Sequence, residues 1–334
     1  MKKIGIGVIG TGAIANRAHL PTYRSLPDTK LIGVADIDEE KVKLIAKQYR
    51  TQPYTNYNQL LDREDLDAVS ICAPPSIHAE IAVRAAERNK HILCEKPISL
   101  TLEDADRMIK AAKENNVLLM IGHQLRFQEN FLKLKELIEN EDFGKITMLK
   151  CLWLGKSAVF GGWKTQSDYY KKRHLGGDVL YNYGPHVTDL VRWLCGDVVN
   201  VYAHTDIYDA KPDIQVYDRA SVQLQFENGI LGDISLGYFP YEEHWIELIG
   251  TRGRVICDIF GNTMDIRYGK RSVQSIFKQP KSGWVREIEH FVDCIKQQNS
   301  QPAVSGEDGK KAMEIVLAAY KSQESGERVK LQGS

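Results

Sequence analysis

Residues 2–38 constrain the fold more than any other stretch of the chain. Ile4, Ile6, Val8 and Ile9 read as a buried strand. Gly10-Thr11-Gly12-Ala13-Ile14-Ala15 reads as a glycine turn opening a helix, and Leu31-Ile32-Gly33-Val34-Ala35 as a second strand closed by Asp36. A Gly-x-Gly-x-x-Ala run alone also fits a tight structural turn. The strand before it, the helix after it and an acid at the end of the next strand point instead to a dinucleotide-binding unit. Gly10 permits the sharp exit from the strand, Gly12 lets a diphosphate approach without a Cβ in the way, and Ala15 stands where helix and strand pack closely. The diphosphate is expected on unpaired N–H groups at the helix start, which assigns Thr11, Ala13 and Ile14 to the same site. Asp36 suits the two adenosine ribose hydroxyls and repels a 2′-phosphate, and Ile37 goes with it. No cationic side chain follows until Lys41, so NAD is favoured over NADP.

The 334 residues leave room for two domains, and an apolar content of 43% supplies ample core for a globular protein. Forty-four basic and 44 acidic side chains balance, which gives no electrostatic case for nucleic acid or an anionic membrane as partner. No apolar run approaches the roughly 20 residues of a spanning helix, and Met1-Lys2-Lys3 leads straight into a strand, not a signal peptide. A cytoplasmic location is expected. The six cysteines, Cys72, Cys94, Cys151, Cys195, Cys257 and Cys294, sit among apolar neighbours without Cys-x-x-Cys spacing, as buried reduced thiols do. Neither a zinc-ligand cluster nor a Tyr-x-x-x-Lys pair is present, so no metal is expected.

Strand and helix signals alternate after Asp36: helix 38–49, strand 68–72, helix 76–88, strand 91–94, helix 102–115 and strand 117–121. This order predicts a parallel sheet with crossover helices. The turns at the strand ends are Ala73-Pro74-Pro75-Ser76-Ile77-His78, Glu95-Lys96-Pro97 and Gly122-His123-Gln124-Leu125-Arg126-Phe127. Ligands of open α/β sheets bind at such carboxyl ends. Past Phe127 the pattern changes. A helix (129–140) and a long strand (146–154) precede an irregular stretch rich in Gly, Trp and Tyr, and β-rich segments follow from Val198. Val222, Leu224 and Phe226 alternate with Ser221, Gln223 and Gln225 before an Asn228-Gly229 turn, which predicts antiparallel strands with one apolar face. Ile288, Phe291, Val292 and Ile295 form a helix stripe, and Ser305-x-x-Asp308 is a capping-box start for the last helix. The expected division is a Rossmann domain over 1–122 and a substrate-binding and oligomerisation domain over 123–334.

Four ordered motifs carry a resemblance: the Pro-Pro-Ser-x-His turn, Glu95-Lys96-Pro97, Gly122-His123-x-x-Arg126-Phe127, and Gly-Gly-x-x-x-x-Asn182-x-Gly-x-His186-x-x-Asp189. Together they resemble the Gfo/Idh/MocA oxidoreductases, from Ile4 to Leu331. The resemblance implies an α/β fold with an N-terminal Rossmann domain and a C-terminal α/β domain built on a large open, mainly antiparallel sheet. It implies a homodimer or homotetramer through that sheet, and a sugar or cyclitol substrate.

It also implies roles. Lys96, at a strand end and restricted by Pro97, polarises the reacting hydroxyl or serves in a proton relay; a lysine in a turn is otherwise usually a solvated charge. His186 follows Gly184-Pro185 in the first turn of a helix, where the dipole disfavours imidazolium, and is the expected general base in oxidation and acid in reduction. A single histidine more often caps a helix or bonds a core carbonyl. The family usually has Asp where this chain has Asn182. An amide exchanges no proton at neutral pH, so Asn182 is expected to orient substrate. Asp178 departs from a glycine-rich run and adds a carboxylate suited to a hydroxyl. Trp163 and Tyr183 are assigned to the substrate ring from among Trp163, Tyr169, Tyr170, Tyr181 and Tyr183. Arg126 is assigned to cofactor or substrate, with an ordinary ion pair as its alternative. Ala73, Pro74, Pro75, His78, Glu95, Lys96 and Gln124 complete the cofactor groove. The leading reading is an NAD-dependent dehydrogenase or reductase of a sugar, glycoside or cyclitol secondary alcohol. Its alternatives are an NAD-dependent glycosidase acting through transient sugar oxidation, and a non-enzymatic NAD-binding regulator.

Overall fold

The structure, a computed structural model, describes residues 3–156, 177–208, 216–261, 263–278, 281–297 and 301–331. The chain divides into two compact units, one of residues 1–124 with 281–310 and the other of 125–280 with 311–334.

The first unit is a six-stranded parallel sheet of β1 (Ile4–Ile9), β2 (Thr29–Ala35), β3 (Gln52–Tyr54), β4 (Ala68–Ile71), β5 (His91–Glu95) and β6 (Leu119–Gly122). The strand order is β3-β2-β1-β4-β5-β6, so the winding reverses between β1 and β4. All residues of β1 and β4 are buried, as a parallel sheet covered on both faces requires. The helices are α1 (Leu20–Ser25), α2 (Glu39–Tyr49), α3 (Tyr57–Leu61), α4 (His78–Ala86) and α5 (Leu102–Glu114). Asp38 caps α2 by accepting from Lys41 N at 3.0 Å, and Thr101 caps α5 from Asp104 N. Two expectations shift. The helix expected from residue 76 begins at His78, because the consecutive prolines make Pro75–Ile77 a 3₁₀ turn. The helix after the glycine turn opens as a π turn, Ala15–His19. Pro21, the second residue of α1, has no N–H to return to the preceding turn.

The second unit contains α6 (Glu129–Glu139), α7 (Val179–Asn182) and α8 (Gly184–Cys195) and a nine-stranded sheet. Its strands are β7 (Ile146–Gly155), β8 (Val198–Asp206), β9 (Arg219–Phe226), β10 (Leu231–Tyr238), β11 (Glu243–Gly250), β12 (Arg254–Asp258), β13 (Thr263–Tyr268), β14 (Arg271–Ile276) and β15 (Val329–Lys330). The order is β14-β13-β12-β11-β7-β10-β9-β8-β15. All pairs are antiparallel except β7 with β10. Asn228-Gly229 makes the expected turn between β9 and β10, with Gly229 at φ 88°. Val222, Leu224 and Phe226 are buried while Ser221, Gln223 and Gln225 are exposed, so one face is core and the other is open.

After β14, α9 (Gly283–Lys296) and the start of α10 (Gly306–Ser325) belong to the first unit, although the sequence reading placed everything from 123 in the second domain. The reason is packing. Ile288, Phe291 and Val292 of α9 are buried, Lys296 bonds Asp28 at 2.7 Å, and Trp284 lies under the Arg17 guanidinium. At Gly309 a Cβ would lie 2.9 Å from Ile121 of β6. The capping box forms as expected: Asp308 N–H donates to Ser305 Oγ, and Ser305 N–H to Asp308 Oδ2. All six cysteines are buried. Among the described residues no helix is long and apolar enough to cross a membrane.

Candidate functional site

In the first unit the glycine turn, Asp36, the proline loop and Glu95-Lys96-Pro97 all follow the carboxyl ends of neighbouring strands β1, β2, β4 and β5. The two glycines of the turn differ. Gly10 has φ 90°, and a Cβ there would lie 2.5 Å from the Cys72 carbonyl oxygen, so the protein's own backbone requires glycine. Gly12 has nothing within 4 Å of its Cβ position. The protein itself does not need glycine there, whereas a diphosphate lying on the turn does. The Asn16 amide donates to the carbonyls of Thr11 (2.7 Å) and Gly12 (2.9 Å) and stiffens the turn.

Asp36 is more engaged than its position in the sequence suggested. Its Oδ2 accepts from Thr11 N (2.8 Å), Thr11 Oγ1 (2.6 Å) and Lys41 Nζ (2.9 Å), and its Oδ1 from Asp38 N (3.1 Å). Burial pushes its carboxyl up, but the Thr11, Lys41 and Asp38 donors outweigh that and hold it below the usual range. Thr11 is buried and spends both donors on Asp36. It therefore braces the acid instead of facing a diphosphate, a correction to its expected role. Lys41 joins this site because α2 starts at Glu39 and carries Lys41 in its first turn. Ile37 is 94% exposed, an apolar surface beside the acid.

Between the loops after β4 and β5 lies His78, with no exposed surface. Its Nε2 faces the Ala73 carbonyl at 2.8 Å and its Nδ1 the Pro97 carbonyl at 2.9 Å. Burial lowers its pKa, so the ring is neutral at pH 7 and carries one N–H. It sits between the two loops with both ring nitrogens facing backbone carbonyls, and its one N–H bonds one of them. Glu95 also turns inward: its Oε1 meets His19 Nε2 at 2.9 Å. Burial pushes Glu95 up, yet the His19 hydrogen bond and the charge of the neighbouring Lys96 hold it below the usual carboxylate value. Lys96 is half-buried, and its peptide bond to Pro97 is cis. Burial draws its ammonium down to about 8 against the pull of Glu95. At pH 7 it is a charged donor close to its titration point, suited to polarising a hydroxyl. Gln124 is buried in the turn after β6.

In the second unit, Asn182 ends α7 and His186 lies in the first turn of α8, after Pro185. Tyr238 Oη donates to the Gly177 carbonyl at 3.0 Å and so must accept from Asn182 Nδ2, also at 3.0 Å. This fixes which way the amide points. Trp153 of β7 organises the group: its ring stacks on His186 (5.3 Å, 19°) and on Tyr183 (5.3 Å, 22°), and meets His244 and Phe260 edge-on. The sequence reading passed over Trp153. Its one signal was an aromatic side chain at an inward position near the carboxyl end of a long strand. Gly155 makes room for Tyr183, whose Oη would be 2.6 Å from a Cβ there.

Asp178 binds a hydroxyl, but it is the chain's own. The carboxylate caps α7 through Leu180 N and Tyr181 N and accepts from Tyr320. Arg126 is buried and paired in fork geometry with Asp189, at 2.9 and 2.5 Å. It makes the ion pair that the sequence reading held as its alternative, and so joins two of the sequence motifs. Trp163, Tyr169 and Tyr170 lie outside the described residues.

The reversal of strand order beside a glycine turn and an acid defines a dinucleotide-binding Rossmann unit, here with an open-sheet companion. Residues 4–123 match the oxidoreductase family, NAD-binding Rossmann fold, and residues 131–256 match the GFO/IDH/MocA C-terminal domain. The chain is 30% identical to the myo-inositol 2-dehydrogenase of Thermotoga maritima over 98% of both chains. It is 28% identical to the dTDP-3,4-didehydro-2,6-dideoxy-alpha-D-glucose 3-reductase of Saccharopolyspora spinosa, over 92% of this chain and 93% of that one. Among solved structures, the aldose-aldose oxidoreductase of Caulobacter crescentus superposes with a TM-score of 0.89 at 26% identity, covering 99% of this chain and all of that one. The chain belongs to the Gfo/Idh/MocA family of oxidoreductases.

Proposed function

We propose that this oxidoreductase uses NAD to interconvert a secondary alcohol and ketone on a sugar, glycoside or cyclitol. The observation carrying the cofactor assignment is the open Cβ position of Gly12, on a turn otherwise braced by Asn16, Thr11 and Asp36. Gly12, Ala13 and Ile14 receive the diphosphate, and Asp36 and Ile37 the adenosine half. Its negative charge favours NAD, although Lys41 moderates it. A bound nicotinamide supplies the hydride acceptor or donor. Lys96 holds the reacting oxygen and lowers its proton affinity, His186 takes or returns the proton, and Asn182 and Tyr183 orient the ring. An amide at 182 leaves proton transfer to His186 and Lys96.

The domains follow the two units, and the protein is cytoplasmic and oligomeric. On the face of the large sheet opposite Trp153, half-buried Leu152, Leu154, Trp245 and Ile256 make an apolar surface suited to a second copy. Sedimentation at micromolar concentration tests this, and a monomer would refute it.

The test of function is absorbance at about 340 nm with NAD or NADP across cyclitols, aldoses, glycosides and uronates, repeated for Lys96→Ala and His186→Ala. NADH formation with one polyol, lost in both variants, is expected. Glycoside cleavage without net NADH, or NAD binding without turnover of any compound, would overturn simple dehydrogenation.

A further inference from the structure

We infer that Tyr23, Ser70, His19 and Glu95 form a buried hydrogen-bonded chain whose task is to hold a negative charge beside Lys96, with His19 as its positioning residue. The inference deepens the role proposed for Lys96 and rests on it only for its catalytic consequence.

The distances run in series. Tyr23 Oη lies 2.7 Å from Ser70 Oγ, Ser70 Oγ 3.1 Å from His19 Nδ1, and His19 Nε2 2.9 Å from Glu95 Oε1; Glu95 Oε2 in turn accepts from Lys96 N at 3.3 Å. Hydrogen counting orients the chain. A carboxylate only accepts, so His19 Nε2 carries a hydrogen. With a neutral ring, Nδ1 then accepts from Ser70, and Ser70 accepts from Tyr23. Each donor has one acceptor, and one hydrogen more would leave a buried hydroxyl without one. His19 and Ser70 have no exposed surface, Tyr23 is 1% exposed and Glu95 7%. A hydroxyl, an imidazole and a carboxylate in line resemble a nucleophile with its base. No substrate reaches this Ser70, however, and its partner Tyr23 donates to it, so the chain works as a brace.

The brace acts on charge. Burial works against the Glu95 carboxylate, and the His19 hydrogen bond is the main counterweight. The other ionisable groups acting on these residues are Cys72 beyond β4, Cys94 on β5, His78 on α4 and Glu287 on α9. The backbone of β6 closes the remaining side at Gly122. Burial raises both thiols well above their ordinary value and lowers His78, so near pH 7 these three are neutral. Within this group Glu95 is the charge that opposes the burial of Lys96. Without His19, Glu95 takes up a proton nearer neutral pH, and Lys96 loses its ammonium at lower pH.

The test measures Lys96 directly, by NMR titration of protein labelled with ¹³Cε-lysine and assigned with Lys96→Met, so it stands whether or not any polyol is turned over. His19→Asn places an amide where Nδ1 was and leaves Glu95 without its donor, whereas His19→Gln reaches Glu95. The expected result is that Asn moves the Lys96 midpoint to at least tenfold higher proton concentration and Gln restores it to within about threefold. The alkaline limb of kcat/KM would move with it. An unmoved midpoint in both variants, or an equal shift in both, would overturn the inference, the latter by showing a packing role. If neither variant folds, Glu95→Gln decides: a drop in the Lys96 midpoint supports the inference and a fixed midpoint overturns it.

Discussion

Lys96→Met removes the charge and keeps the stem, and it is expected to stabilise the protein while abolishing turnover. Burial draws the Lys96 ammonium from 10.5 to about 8. At about 1.36 kcal/mol for each tenfold, the folded state carries a cost of about 3 kcal/mol for holding that charge. The pull of Glu95 is already contained in this net figure. The sign follows from linkage. The folded value lies below the unfolded one, so between pH 8 and 10.5 the unfolded chain binds more protons and wild-type stability rises with pH. The destabilisation is complete below pH 8 and gone above 10.5. Urea unfolding of the protein without nucleotide, at pH 7, 9 and 10.5, measures it. Lys96→Met should exceed wild type by about 3 kcal/mol at pH 7, and the gap should close across the series. Such a gap is a sizeable fraction of a domain's stability, and it is the cost of keeping a titratable donor at a strand end. A variant less stable than wild type at pH 7, or a gap independent of pH, would refute the reasoning.

The two turn glycines should separate cleanly: Gly12→Ala leaves the melting temperature of the nucleotide-free protein unchanged within a degree or two but weakens NAD at least tenfold by titration calorimetry. Gly10→Ala, strained at φ 90° and against the Cys72 carbonyl, instead loses at least about 2 kcal/mol of stability. Arg126→Ala strands the buried Asp189 carboxylate and should cost about 3–5 kcal/mol, seen as loss of soluble folded protein; an unchanged melting temperature with a raised KM would instead mark a ligand residue. Asp36→Asn keeps an acceptor for Thr11 while releasing Lys41 from its ion pair, so the NADP to NAD ratio of kcat/KM should rise at least tenfold. A ratio that stays put would show that Asp36 does not set the preference.

Features carried by near neighbours were legible in the sequence. Gly10 and Gly12 between apolar runs, the Asn228-Gly229 turn and the Ser305-x-x-Asp308 cap each depend on residues a few positions apart, and the structure forms all three. Side-chain commitments were legible far less well. Thr11, His78 and Glu95 lie at the expected strand ends but point inward, because a motif records position along the chain and not the direction of a side chain. Trp153 went unmarked in the sequence, and only the fold brings His186 of α8 against it.

By itself, then, the sequence determined the parallel α/β unit, its glycine turn, the open-sheet companion and the family. The first two follow from local periodicity and turn chemistry, which act over a few residues, and the last two from the resemblance that four ordered motifs carry. Only the tertiary structure decided that Arg126 pairs with Asp189 across 63 positions, that Asp178 meets Tyr320 across 142, and that 281–310 returns to the first unit. Those outcomes depend on which buried polar groups must find partners and which apolar faces meet. The whole fold settles such pairings at once, and no window of sequence contains them.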